Sequence, residues 1–245
     1  MAATVVIPAR FGSTRFPAKI LAAATGRPLV QHVVDRVRKC RLVRDVLVAT
    51  DDERIAAALR PFETEVVMTS PAHQSGTDRV WEVVRQRPGG LFVNVQGDEP
   101  EIEPEVVDTL IERAEQGGHE FATCATAFPV GADPADPNLV KVVVDLSGRA
   151  LYFSRSPIPF RRDRDGLVDP PFLLHLGIYA YTSNFLSEFT GWRPSPLEQA
   201  EKLEQLRALD HGRSCYVLTV ERATHGIDTP EQYAAFVRRM KGSGQ

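Results

Sequence analysis

Three cations stand within the ten residues 10–19: Arg10, Arg15 and Lys19 of PARFGSTRFPAK (8–19), interleaved with Gly12, Ser13 and Thr14. Small residues let backbone N–H groups approach an anion, and three cations offset a triphosphate carrying about −4. A solvated basic loop is the plainer reading. The spacing is neither the GxxxxGK[ST] of a P-loop nor the GxGxxG of a dinucleotide fold, and neither occurs elsewhere in the chain. In VNVQGDEP (93–100) an apolar run ends at Gly97, Asp98 and Glu99. A carboxylate there, facing polyphosphate, suits Mg²⁺, which prefers one or two carboxylates plus phosphate oxygens and water. Gly-Asp and Glu-Pro are also ordinary turn formers. A third carboxylate, Asp228 in HGIDTPEQ (225–232), precedes the last helix. It is either an acid favoured by the helix dipole or a second metal ligand, and spacing leaves that choice open.

Further polar groups lie in HQSGTDR (73–79) and LYFSR (151–155). HLGIYAY (175–181) alternates His175, Gly177, Tyr179 and Tyr181 on one strand face with Leu176, Ile178 and Ala180 on the other. Such a face either lines a cleft or holds a structural histidine at a sheet edge. SPLEQAEKLEQLR (195–207) carries Glu198, Glu201, Glu204 and Gln205, mostly on the solvated face of an amphipathic helix. No GxSxG, HExxH or His/Cys cluster occurs, which argues against a serine hydrolase and catalytic zinc.

The elements that must position these groups alternate from the start. ATVVIP (3–8), DVLVAT (45–50), TEVVM (64–68) and LFVNV (91–95) read as buried strands. Helices are expected over 28–39 with Pro28 in the first turn, 52–60, 77–85 with Thr77 as N-cap, and 104–115. That alternation predicts an α/β fold with a mostly parallel sheet covered on both faces. From about 121 the strands FATCATA, LVKVVVD, ALYFS, HLGIYAY and SCYVLTV predict a more mixed, antiparallel part. Capping boxes at Ser195 and Thr229 open helices to about 210 and 240. Segments 129–138 and 161–171 read as loops. The reading is a single α/β domain over 1–241, with a nucleotide-binding half to 120, a mixed half from 121, and a tail at 242–245.

The chain has 245 residues, 43% hydrophobic and 25% charged, which fits a globular protein with a full core and excludes disordered or collagen-like classes. A net charge of −3 gives no basic field to draw nucleic acid. No apolar run reaches the ~18–20 residues of a membrane span, and the N-terminus lacks a signal-peptide layout. Cys40, Cys124 and Cys215 are odd in number and far apart, as expected of buried thiols in a reducing cytoplasm.

Taken in order, PARFGSTRFPAK, VATDDERI, HQSGTDR, VNVQGDEP, PNLVKVVVD, ALYFSR, HLGIYAY, SPLEQAEKLEQLR and GIDTPEQ resemble the 3-deoxy-manno-octulosonate (Kdo) cytidylyltransferase family over residues 4 to about 235. The resemblance implies a nucleotide-diphospho-sugar-transferase-like fold, a cytoplasmic homodimer, Mg²⁺ as cofactor, and the reaction of CTP with Kdo to give CMP-Kdo and pyrophosphate for lipopolysaccharide. A sister activity on 8-amino Kdo or a sialic acid is the alternative. By the same resemblance Arg10, Ser13 and Lys19, with Arg15, hold the triphosphate, and Asp98 and Asp228 bind the metal. Arg10, Lys19, Asp98 and Asp228 are then the catalytic set. Gln74, Ser75, Arg79 and Gln96 lie where the family surrounds cytidine. Arg155, His175, Tyr179, Glu204 and Gln205 match positions near the sugar acid, with Arg155 suited to its carboxylate. Phe11 and Phe16 stand where the family more often has Tyr and Leu.

Overall fold

The computed structural model describes residues 2–13, 15–87, 89–160, 162, 172–221 and 226–242. The loop expected at 161–171, Arg162 apart, Thr14 of the basic loop and the tail beyond 242 lie outside the described residues.

Strand and helix alternate through the first half: β1 (Ala3–Pro8), α1 (Leu29–Val37), β2 (Val43–Thr50), α2 (Glu53–Leu59), β3 (Glu65–Met68), α3 (Gly76–Val84), β4 (Leu91–Asn94) and α4 (Pro104–Gly117). β1 is apolar at successive positions because both of its faces are covered. Val5 and Ile7 join the core formed with α1 and α4, while Val6 joins the core formed with α3. In α1 the helical spacing of Val30, Val33, Val34 and Val37 sends them into the main core, while Leu29 faces Tyr233 and Phe236, and Gln31 and His32 are buried as well. Pro28 is its N-cap rather than a first-turn residue.

The second half adds β5 (Phe121–Ala127), β6 (Lys141–Val144), β7 (Ala150–Ser154), β8 (Leu173–Thr182), α5 (Ser183–Gly191), α6 (Pro196–Glu201), α7 (Leu206–Asp210), β9 (Tyr216–Val220) and α8 (Pro230–Gly242). Among the described residues one nine-stranded sheet runs β3-β2-β1-β4-β8-β5-β9, with the β6–β7 hairpin attached to β8. Along that path only β8 is antiparallel to its neighbours. The fold is thus the mixed, mostly parallel α/β sheet expected, with its antiparallel part in β6–β8. No helix among the described residues is long and apolar enough to cross a membrane, and all three cysteines are buried.

Three local expectations are corrected. α3 is capped by Ser75, not Thr77: Ser75 accepts from the Asp78 N–H and Asp78 reciprocates, so the capping box starts two residues earlier. The helix expected from 195 to about 210 breaks at Lys202, whose φ is +54°. The guanidinium of Arg155 takes up the Glu201 and Lys202 carbonyls there, so the helical ladder does not continue through them. α5, not expected at all, is capped by Thr182 and buries Phe185, Leu186 and Phe189.

The strand order reverses between β1 and β4, which lie side by side and parallel while the chain runs outward on either side of them. Their carboxyl ends open a crevice at the topological switch point, where open α/β sheets bind ligands.

Candidate active site

That crevice, about 410 Å³, is lined by Arg10, Gly12, Ser13, Arg15 and Lys19 from the loop after β1, by Gln96, Gly97 and Asp98 after β4, and by Asp228 before α8. The basic loop and both aspartates therefore share one cavity. Gly97 permits the close approach: a Cβ there would lie 3.1 Å from the Pro8 carbonyl oxygen and 3.3 Å from Ile20 Cδ1. Ala18, at φ +55°, turns the chain through a left-handed residue into the short 3₁₀ turn Lys19–Leu21, and the turn buries Ile20 beneath the crevice.

Asp98 and Asp228 meet through one ammonium. Lys19 Nζ lies 2.5 Å from Asp98 Oδ2 and 2.8 Å from Asp228 Oδ1, and donates a third bond to the Ile227 carbonyl at 3.0 Å. Burial alone would lower the Lys19 pKa, but the two carboxylates outweigh it and hold it above its ordinary value. Arg15 pairs with the other oxygen of Asp228 at 3.0 Å. The backbone secures the meeting: Ile227 N–H donates to the Asp98 carbonyl at 2.8 Å, and Gln232 Oε1 accepts from the Asp228 and Thr229 N–H groups. Two carboxylates gathered around one cation form a donor set that fits Mg²⁺, whose remaining ligands are phosphate oxygens and water. Among the described residues no cluster of three or more His, Cys, Asp or Glu forms a closed metal cage. Next to the pair, burial and then the charge of Asp98 push Glu99 up to about 8, so it carries a proton at neutral pH.

A smaller cavity of about 110 Å³ adjoins the crevice and is lined by Arg10, His73, Gln74, Ser75, Gly76, Arg79 and Gln96. The residues expected around cytidine are thus brought together. Arg79 is buried, donates to Thr69 Oγ1 and pairs with Asp51 at 3.1 Å. Gln74 Nε2 donates to the Ala72 carbonyl.

A third cavity, about 400 Å³, is walled by His175, Gly177 and Tyr179 of β8, by Thr77, Asn94 and Gln96, by Asn138, and by Lys202, Glu204 and Gln205 at the break between α6 and α7. The alternation along β8 holds: Leu176, Ile178 and Ala180 enter the opposite core. Burial holds His175 neutral, down to about 3, with Nε2 3.0 Å from Thr123 Oγ1. Thr77 Oγ1 donates to Glu204 Oε2 at 2.7 Å, and Tyr179 OH reaches Gln205 Oε1 at 3.4 Å. Burial raises the Glu204 carboxyl pKa. Glu204 Oε1 and Gln205 Nε2 are buried without a hydrogen-bond partner among the described residues, a cost that a hydroxyl-rich ligand would relieve.

Arg155 sits behind the cavity wall. Its guanidinium donates to the carbonyls of Glu201, Lys202 and Pro137, so it braces the pocket wall and does not line the cavity. Thr77, Asn94, Asn138 and Lys202 line the pocket but were not singled out from the sequence. Only Asn94, a polar residue closing an apolar strand, carried a local signal. Gln96 lines all three cavities, which makes them compartments of one site.

A sequence model described as cytidylyltransferase matches residues 4–215. A 3-deoxy-manno-octulosonate cytidylyltransferase of Geobacter sulfurreducens is 48% identical, the match covering 97% of this chain and 99% of that one. Another, from an Anaeromyxobacter species, is 50% identical over 93% of this chain and 92% of its own. Among solved structures, a CMP:2-keto-3-deoxy-manno-octonic acid synthetase complexed with CTP superposes with a TM-score of 0.93 at 40% identity, covering 99% of this chain and all of that one.

Proposed function

The chain belongs to the 3-deoxy-manno-octulosonate cytidylyltransferase family, and we propose that its three-part site couples CTP to the anomeric hydroxyl of Kdo, releasing pyrophosphate and CMP-Kdo. The observation that carries this reading is the meeting of the three cavities at Gln96: base pocket, cationic crevice and polar sugar pocket converge where an α-phosphorus would lie.

Each compartment has a role. Arg79, Gln74 and Ser75 surround the base, and Arg10, lining both the base pocket and the crevice, spans base and tail. Lys19, Arg15 and Ser13 hold the β- and γ-phosphates and stabilise the leaving pyrophosphate. Asp98 and Asp228 would hold a magnesium ion, which would supply positive charge for the transfer and lower the pKa of the attacking hydroxyl. Glu204, Gln205, His175 and Tyr179 orient the sugar so that its hydroxyl faces phosphorus in line with the departing oxygen. Positioning and charge suffice for such a transfer, so no covalent protein intermediate is required. The reaction supplies lipopolysaccharide synthesis from the cytoplasm.

The working unit in this reading is a homodimer of one-domain chains spanning 1–241. Val130, Leu146, Leu151 and Phe160, all exposed in the second half, supply apolar surface for a second copy.

The test is a pyrophosphate-release assay pairing CTP, UTP or ATP with Kdo, 8-amino Kdo or sialic acid, with and without a magnesium chelator. Turnover confined to CTP, Kdo and added Mg²⁺ is expected. Preference for another acid sugar, or turnover unaffected by the chelator, overturns the corresponding part of the reading.

A further inference from the structure

We propose that Arg54, in the first turn of α2, is a positioning residue for the nucleotide tail: clamped by Asp52, its guanidinium lies on the ring of Phe11 and holds the basic loop in its phosphate-presenting shape. The clamp is bidentate, with Arg54 Nε 2.9 Å from Asp52 Oδ1 and Nη2 2.6 Å from Oδ2. The same Asp52 caps α2 by accepting from the Arg54 N–H, so carboxylate and guanidinium are anchored to a rigid helix end. Arg54 Cζ then lies 3.4 Å from the Phe11 ring centroid, well within cation–π range.

Phe11 sits between Arg10, which lines the base pocket and the crevice, and Gly12 and Ser13, which line the crevice. Among the described residues, Arg10, Phe11, Gly12 and Ser13 make no backbone–backbone hydrogen bond. Side chains must therefore hold this stretch, and the Phe11 ring is gripped between the core edge and Arg54. With its charge matched by Asp52 and its plane spent on Phe11, Arg54 acts through the loop and not on phosphate. A lysine could not replace it, since an ammonium offers neither the fork nor the flat face. A Tyr at position 11 could, because the ring is kept.

The proposal rests on residues 10–19 being the triphosphate cradle, so Lys19→Ala serves as the reference. Dissociation constants for CTP and CMP are measured by calorimetry, alongside melting temperatures. Arg54→Ala and Phe11→Ala should each weaken CTP about two- to fivefold while leaving CMP, which lacks the outer phosphates, unchanged. The double variant should be no weaker than the worse single one, Arg54→Lys should resemble Arg54→Ala, and Phe11→Tyr should bind like the parent. Equal weakening of CTP and CMP, additive losses, or parental CTP binding by Arg54→Ala overturns the role. If Lys19→Ala also binds CTP normally, the cradle itself is wrong; if Lys19→Ala alone weakens CTP, only the role of Arg54 falls.

Discussion

Replacing Lys19 by methionine removes the one cation that both site aspartates share, and the structure sets the size of the effect. The side chain is 11% exposed and that of Asp98 26%, so their bond is only partly screened and contributes about 1.5–3 kcal/mol. Asp228 is 38% exposed and keeps Arg15, so its share is about 0.5–1 kcal/mol. The variant should therefore lose about 2–4 kcal/mol, part of it from two carboxylates left facing each other. The Lys19 pKa is raised, so this stabilisation is fully present at neutral pH and fades only as pH rises through the folded value above 10.5. Urea titrations at pH 7.5, with and without Mg²⁺, read the result as a shift in midpoint at constant slope. Mg²⁺ should restore much of the loss in the variant and stabilise the parent less, because in the parent the ammonium competes for the same oxygens. A variant as stable as the parent, or one whose loss Mg²⁺ does not touch, would refute the reasoning.

Asp98→Asn should fold normally and lose at least about a hundredfold in kcat, read by pyrophosphate release, since in the proposed reading it removes one of the two carboxylates that would hold the metal. His175, neutral down to about 3, cannot follow an unfolded histidine that protonates near 6.5, so stability falls as pH drops through that window, by up to about 1.4 kcal/mol per pH unit. Glu99, protonated up to about 8, works the other way: stability falls as pH rises from 4.5 towards 8. His175→Gln should flatten the acid limb of the stability–pH curve, and an unchanged limb counts against the buried neutral imidazole. Glu63→Gly relieves a left-handed residue (φ +51°) outside the three site cavities and should add about 1 kcal/mol by urea titration with kcat unaltered.

What the chain disclosed on its own follows from short-range physics. The run ATVVIP, apolar at successive positions, admits only a strand covered twice. The period of Leu29, Val30, Val33, Val34 and Val37 is that of a helix, although burial also reaches Gln31 and His32. Loop chemistry was legible for the same reason: cations, small residues and carboxylates that follow buried strands must emerge at one end of a parallel sheet. The nine ordered segments together pointed to the family. The misplaced α3 cap has a signal that is itself local, the reciprocal Ser75–Asp78 box, but the misread helix from 195 ends for a reason that is not local. It breaks where Arg155, 46 and 47 residues earlier in the chain, takes up the Glu201 and Lys202 carbonyls that would have carried it onward. The same contacts set Arg155 behind the wall of the cavity that Lys202, Glu204 and Gln205 line.

Asp98 and Asp228 lie 130 positions apart, and no periodicity relates them. They meet because Ile227 pairs its backbone with Asp98 while α8 docks Tyr233 and Phe236 beside Leu29. The crevice is placed by the reversal of strand order between β1 and β4, a property of the assembled sheet alone. Residue types and spacings settle which groups are available and which local elements carry them. Which of those groups face one another is settled by long-range packing and pairing, whose partners lie too far along the chain for any local pattern to record.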